Sequence, residues 1–396
     1  MQEADEMSQY WNLGFQRSEK DPGSFYDLIK LPEITQSSHY RRMELLDSLE
    51  LGDLSDKSCV DFGVGPWGFA CIFPKLQHSG EAIGIDISSE ALRQSAALSE
   101  KGAFPYGKNY KYLQSDGASI PLPNSSIEVF FAGEAIEHVE NVEAFLDEIH
   151  RVLRSDGVLV LTTPNADAVL YKARNERYCQ NGEHVSLMNY AELRDCLDAR
   201  FQVLAAKGFN GSFFRTLDEL IKDKACAAAW AREYEDRPDL ATGVVIMAKK
   251  QHDYRPCAYL QRHFHHLSPA LRYSGKWETL TLHSHLTGRM TRFLPENQAH
   301  LIFDGDGVIL FFWSHPHSGY VDLCLDEERR RVNLYSPVAG FQKIAFSRLS
   351  SGPHNLSLAP AETKALQSLD SQVIFHKALT FVRQVHPSRS ENGNSG

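Results

Sequence analysis

The chain has 396 residues, 42% hydrophobic and 23% charged, with a formal net charge of −10. That length exceeds one ordinary domain, and the composition is that of a globular protein. The negative balance argues against a nucleic-acid partner, because phosphate binding needs clustered Lys and Arg to displace counterions. The one basic run, Arg329-Arg330-Arg331, follows Glu327-Glu328 and reads as a solvated turn. No apolar run approaches the ~18–20 residues of a membrane span. The acidic start Met1-Gln2-Glu3-Ala4-Asp5-Glu6 lacks the basic opening of an export signal, so a cytoplasmic location is expected. Seven scattered cysteines, with no Cys-x-x-Cys pair, give no zinc spacing and no disulfide framework.

Up to about residue 250, short apolar runs alternate with helical patterns. Residues 57–63, 82–87, 110–115, 127–132 and 157–163 read as buried strands, and 201–206 and 243–248 as two more. Residues 88–102 read as a helix that Ser88 or Ser89 can cap. Residues 141–154 carry Val142, Phe145, Leu146, Ile149, Val152 and Leu153 on one helical face. A helical insertion is expected near 216–234. Such alternation predicts βαβ units around a parallel sheet covered on both faces, a Rossmann-like doubly wound α/β fold. Beyond residue 250 the helical period disappears. Nine strand-like segments between 277 and 381, separated by turns such as Asp304-Gly305-Asp306-Gly307, predict an all-β sandwich or jelly roll. The expected organisation is a cap or substrate lid over 1–44, the α/β domain over 45–250, a linker over 251–272, the sandwich over 273–385 and a disordered tail over 386–396.

The first strand runs into Gly63-x-Gly65-x-x-Gly68, a turn in which glycine lets the backbone approach a ligand at the carboxyl end of a strand. Alone, this pattern serves several nucleotide ligands. Asp86 closes the second strand, where a carboxylate accepts from ribose hydroxyls. Ser115-Asp116-Gly117 ends the third. The fourth leads into Glu134-Ala135-Ile136-Glu137-His138-Val139.

In this order the motifs resemble the class I S-adenosylmethionine-dependent methyltransferase superfamily, over about residues 45–250. The resemblance implies S-adenosylmethionine as cofactor. Gly63, Gly65, Gly68 and the nearby backbone would contact its methionine part, and Asp61 would order the loop. Asp86 would hold the ribose, Ile87 would pack on adenine, Asp116 beside Gly117 would accept from the adenine amino group, and Glu134 would contact the cofactor from the fourth strand. Pro66-Trp67 is bulkier than the small residues common at that place.

Methyl transfer is an in-line displacement, and a hydroxyl acceptor also needs a base or a metal ion. His138, His184 and Glu137 are the catalytic candidates. Glu134, Glu137, His138 and His184 resemble the Glu-x-x-Glu-His plus distal His of metal-dependent ribose methyltransferases, which would surround Mg²⁺ or another divalent ion. The alternative leaves the metal out, with His138 or His184 as general base.

The β region resembles the carbohydrate-binding jelly rolls appended to bacterial glycan enzymes. Trp277, Trp313, Tyr320, Tyr335 and the histidines 283, 285, 315 and 317 are candidates for a sugar face, although packing in the sandwich explains aromatic residues equally well. The expectation is an O-methyltransferase of a sugar or polysaccharide in surface-glycan synthesis. An O-methyltransferase of a small-molecule hydroxyl and a non-catalytic cofactor- or glycan-binding protein are the alternatives.

Overall fold

A computed structural model describes residues 33–67, 74–100, 110–170, 184–211, 221–283, 286–337, 339–350, 352–363 and 366–385. Its helices are α1 (Glu33–Asp47), α2 (Ser89–Glu100), α3 (Val142–Val152), α4 (Tyr190–Asp198) and α5 (Lys224–Arg232). The first seven strands are β1 (Ser58–Phe62), β2 (Glu81–Asp86), β3 (Tyr110–Gln114), β4 (Ile127–Gly133), β5 (Leu153–Pro164), β6 (Phe201–Phe209) and β7 (Gly243–Lys250). They form one sheet in the order β3-β2-β1-β4-β5-β7-β6. The first five are parallel, so β1, β2, β3 and β4 all end at the same carboxyl edge. Contrary to a purely parallel sheet, β7 runs antiparallel between β5 and β6. A strand buried on both faces has the same apolar run in either direction, so its orientation was not readable.

Local chemistry sets these elements. Ser88 caps α2, its Oγ accepting from Ala91 N at 3.0 Å, and Asn141 caps α3 by accepting from Ala144 N at 3.1 Å. Phe145, Leu146 and Ile149 of α3 pack on one face of the sheet with Val60, Ile83 and Phe130. Leu45 and Leu46 of α1 cover the other face against Val129, Phe131 and Val160. Of the lid expected over 1–44, residues 33–44 thus belong to a helix packed on the sheet, and 1–32 lie outside the described residues.

The remaining strands are β8 (Cys257–His265), β9 (Leu271–Ser274), β10 (Glu278–His283), β11 (Leu286–Thr291), β12 (Gln298–Asp304), β13 (Gly307–Ser314), β14 (Tyr320–Leu325), β15 (Glu328–Asn333), β16 (Gly340–Ser347), β17 (Pro353–Pro360) and β18 (Val373–Val385). One antiparallel sheet has the order β10-β11-β18-β13-β16 with β8 also on β18, and the other β15-β14-β17-β12-β9. Leu310, Phe312 and Phe375 of the first meet Leu301, Leu323 and Leu356 of the second, so the two sheets share one core. This is a β-sandwich. The segment 251–272, expected as linker, contains all of β8, which pairs along nine residues of β18. The arginine run lies on edge strand β15 rather than in a turn: Arg331 forks onto Asp322 at 2.6 and 2.7 Å, and Arg330 stacks 4.0 Å over Phe346. Charge on such an edge discourages pairing with another chain. The tail 386–396 lies outside the described residues, and no described helix is long and apolar enough to cross a membrane.

The sandwich is seated on the α/β domain. Tyr259, Ile309, Phe311, Leu379 and Phe381, on the outer face of the first sheet, bury against Ala144 and Val185. Each apolar side chain so covered contributes about 1.5–3 kcal/mol, which favours a fixed seat over a flexible tether. Polar contacts surround this patch. Asp147 of α3, 0% exposed, accepts from Arg200 Nε, from the Tyr254 hydroxyl at 2.5 Å and from Cys257 N at 2.9 Å. Glu140 pairs with Lys377 and lies 3.5 Å from His263 Nδ1.

Acid weakens this arrangement. His150 is buried beside Gln251 O, and His39 lies 2.8 Å from Arg42 Nη2; burial pulls both from 6.5 to about 4. Between pH 6.5 and 4 the unfolded chain therefore binds protons that the folded chain refuses. Stability falls with pH in that window, by up to about 1.4 kcal/mol per pH unit for each histidine. Buried His184, His266 and His376, pulled down to about 3, 4 and 3, act in the same direction, while Asp86, which burial raises to about 6, and the raised carboxyls of Asp116 and Glu137 oppose it. Urea midpoints at pH 7 and 5 check it. A lower midpoint at pH 5 is expected, and an unchanged one contradicts the sign.

Candidate functional site

The carboxyl edge of β1–β5 gathers the sequence motifs. β1 ends in buried Asp61 and Phe62 and turns at Gly63 and Gly65, with φ of +75° and +62°. A side chain at Gly63 would be strained in that conformation and would press within 3.1 Å of Ala135. Gly63 N and Val64 N both donate to Ile85 O, at 2.8 and 3.2 Å, tying the turn to β2. Ser95 of α2 donates to Gly65 O at 2.6 Å. Gly68 lies outside the described residues.

Asp86 is buried and accepts from Gly65 N at 3.0 Å and Ser88 N at 2.8 Å, one on each carboxylate oxygen. Burial raises its pKa to about 6, against those amides, which favour the charged form. Each oxygen keeps a second lone pair, so the group can still accept from two adjacent hydroxyls. Ile87 is half-buried beside it, its carbonyl accepting from Gln114 Nε2 at 2.8 Å.

Asp116 is exposed and turns its own loop by accepting from Ala118 N at 2.9 Å. Gly117, at φ +87°, lies so close to Phe145 and Phe62 that a Cβ there would come within 2.7 and 2.9 Å of their rings. A latch that the sequence did not reveal holds the following segment. Glu148 Oε2 accepts from Ile120 N at 2.7 Å, while Arg151 donates to Ile120 O at 2.7 Å and Leu122 O at 2.8 Å.

After β4, a 3-10 turn over Ile136–His138 presents Glu137 and His138. Glu137 is 1% exposed and accepts from Thr163 Oγ1 at 2.9 Å. Burial, then the Glu134 carboxylate, raise its pKa well above the usual range. His184 arrives from the loop after β5, its ring 4.7 Å from that of His138 at an interplanar angle of 72°. Burial, then His138, pull the His184 imidazole down to about 3, so it is neutral at pH 7. Ligand atoms of Glu137, His138 and His184 all lie within 4.8 Å of one another.

Glu134, the fourth expected metal ligand, is not part of that trio. Its backbone is left-handed, φ +50°, and its carboxylate lies 3.3 Å from buried Arg42 of α1. Its charge nevertheless reaches Glu137, whose pKa it raises. The Arg42 contact links residues far apart in sequence. Ser186 reaches further still: its N donates to Glu137 O at 2.8 Å, and its Oγ accepts from Lys343 Nζ of β16 at 2.6 Å. The sandwich thus helps hold the His184 loop.

Residues 60–161 match the model of a family described as a methyltransferase domain. Among curated proteins, the chain is similar to a demethylmenaquinone methyltransferase of Lactococcus lactis (30% identity, covering 33% of this chain and 52% of that protein). It is similar to a malonyl-[acyl-carrier protein] O-methyltransferase of a Methylovorus species (24%, covering 43% and 55%). It is also similar to a probable S-adenosylmethionine-dependent methyltransferase of Mycolicibacterium smegmatis (28%, covering 45% and 72%). The chain spans about half the length of the first two relatives. Over the α/β domain, then, the chain is similar to a methyltransferase domain and to S-adenosylmethionine-dependent methyltransferases.

Proposed function

We propose that the chain is an S-adenosylmethionine-dependent O-methyltransferase whose acceptor hydroxyl meets the methyl group at Glu137, His138 and His184. The carrying observation is that the Gly63–Gly65 turn, Asp86 and this trio lie on one carboxyl edge. Asp61, Gly63, Gly65 and Gly68 would face the methionine part, Asp86 the ribose, and Ile87, Asp116 and Gly117 the adenine. The oxygen–methyl bond forms as the sulfur–methyl bond breaks, the sulfonium becomes a neutral thioether, and the hydroxyl proton passes to His138, while His184, whose protonation burial disfavours, positions the His138 ring. Glu137, buried beside the histidines and accepting from Thr163 Oγ1, orients rather than abstracts. One carboxylate and two imidazoles also fit a divalent ion of the manganese, iron or zinc type. Glu137, His138 and His184 would hold it, and its Lewis acidity would lower the acceptor's pKa.

The acceptor is read as a hydroxylated small molecule. Trp313 is 8% exposed and offers no stacking platform for a sugar ring, and partly buried Trp277 packs edge-on against Tyr273 with ring centroids 5.0 Å apart. One observation favours a second reading, a saccharide acceptor: a β-bridge brings His315 to Tyr335, with the His317 ring 5.8 Å from that of His315. Side chains 283 and 285 lie outside those described.

A methyl-donor consumption screen over catechol-like molecules, sugar nucleotides and oligosaccharides separates the two. In the responding assay, His138→Gln should lower kcat by about 10²–10⁴-fold, with S-adenosylhomocysteine affinity kept within about threefold. Unchanged kcat would remove His138 from the chemistry. Turnover undiminished by EDTA would remove the metal.

A further inference from the structure

Twelve of the 17 histidines follow residue 250, and three of them converge far from the glycine turn in sequence. His265 ends β8, His266 follows it, and His376 lies within β18. Ligand atoms of all three lie within 4.8 Å of one another. Consecutive residues of a strand normally point to opposite faces. Here the chain leaves β8 at His265, and the two rings sit with centroids 3.9 Å apart. On the neighbouring strand the register slips: Phe311 pairs with Lys377 and Phe312 with Phe375, leaving His376 as the extra, bulged residue. Bulges re-aim side chains, and they recur beside functional sites. His266 N donates to His376 O at 2.9 Å, which locks the two segments together.

The hydrogen bonds around the trio orient it as a metal's outer partners would. His376 Nδ1 lies 2.7 Å from Thr287 O, so a neutral ring donates there and turns the Nε2 lone pair elsewhere. His266 Nε2 lies 3.4 Å from Thr287 Oγ1. Its other nitrogen, Nδ1, is buried without a hydrogen-bond partner, on a side chain that is 0% exposed. A buried polar atom left unsatisfied costs about 1–3 kcal/mol, and a coordinated cation would remove that cost. His376 is 2% exposed, while His265 stays partly accessible and leaves an entry path. Two cations lie nearby. Lys377 is committed to Glu140, and Arg289 stacks 4.7 Å over Tyr273.

We propose that His265, His266 and His376 form a transition-metal site in the sandwich, for an ion of the zinc type, separate from the Glu137–His138–His184 trio. Three imidazoles suit zinc better than magnesium or calcium, which take oxygen ligands. Zn–N bonds of about 2.1 Å place tetrahedral ligands about 3.4 Å apart, a closure that modest ring rotations supply. The site would staple the end of β8 to the bulge of β18, beside the interface with the α/β domain, and leave a fourth position for water or an exogenous ligand.

The test uses the full chain, stripped with chelator and titrated with Co²⁺ as the spectroscopic probe, then with Zn²⁺ as competitor. The expected result is a tetrahedral Co²⁺ absorption that in the Glu137→Gln/His184→Gln chain saturates at one equivalent and is displaced by Zn²⁺. In that background it should weaken at least tenfold on adding His266→Gln or His376→Asn. His265→Gln, at the most accessible position, covers the case in which a buried variant does not fold, and must weaken binding by the same criterion. The absence of one-equivalent binding overturns the proposal, as does binding equal in all the histidine variants or binding lost only in the Glu137/His184 variant. The readout does not involve methyl transfer, so it fails or succeeds independently of the proposed activity.

Discussion

Replacing Asp147 by alanine should destabilise the chain by about 3–5 kcal/mol, the cost of breaking a buried ion pair from one side. The carboxylate is fully buried and carries three partners, the Arg200 guanidinium, the Tyr254 hydroxyl and Cys257 N. Without it the cation of Arg200, itself 7% exposed, stays in the interior with its main counter-charge gone. Tyr254 and Cys257 lead into β8, so the same substitution frees the strand by which the sandwich begins. Two effects follow in calorimetry. The main transition should fall in temperature, and unfolding of the α/β domain and the sandwich should separate into two steps. Asp147→Asn, which keeps the shape and an acceptor, should lie between wild type and alanine. A shift equivalent to less than about 1 kcal/mol, with one unchanged transition, would show that the apolar seat alone holds the domains.

Asp86→Ala should weaken S-adenosylhomocysteine binding by about 10²–10⁴-fold. Hydrogen bonds to a charged group contribute about 1.5–3 kcal/mol each, and a ribose diol offers two. The free protein loses order as well, because Gly65 N and Ser88 N no longer have their acceptor, and the glycine turn keeps only its backbone ties to Ile85 O. Only the carboxylate form accepts from both hydroxyls. With its pKa raised to about 6, affinity in the wild type should fall as pH drops below that value, approaching tenfold per unit, and Asp86→Asn should flatten the profile. Isothermal calorimetry at pH 7.5, 6 and 5 provides both readouts. Binding by Asp86→Ala within threefold of wild type would move the ribose contact to another residue.

The parts that the sequence revealed share a cause: each is local. The apolar runs of β1, β2 and β4 and the face of α3 carry their own periodicity, and the Asn141 cap sits one residue before its helix. β8 shows the limit. Tyr259 and Phe264 are five apart and therefore point to opposite faces, one into the domain interface and the other into the sandwich core. Between them Leu260 and Arg262 are exposed, so the strand carries one buried anchor toward each side and no apolar alternation, and the segment read as a linker. The candidate site divides in the same way. Asp86, Glu137 and His138 stand in a motif of fixed spacing. Glu134 pairs with Arg42, 92 residues earlier, and the His184 loop is held partly by Lys343 of the sandwich.

By itself, then, the sequence determined the glycine turn, the acidic residues that follow it and the order of elements bringing them to one edge. Periodicity and backbone preference act over a few residues and need no partner to be legible. Only the tertiary structure decided which carboxylate faces the histidines, that the sandwich is seated on the α/β domain, and that His265, His266 and His376 meet. Burial, charge pairing and a one-residue bulge act between segments whose distance in the chain says nothing of their distance in space.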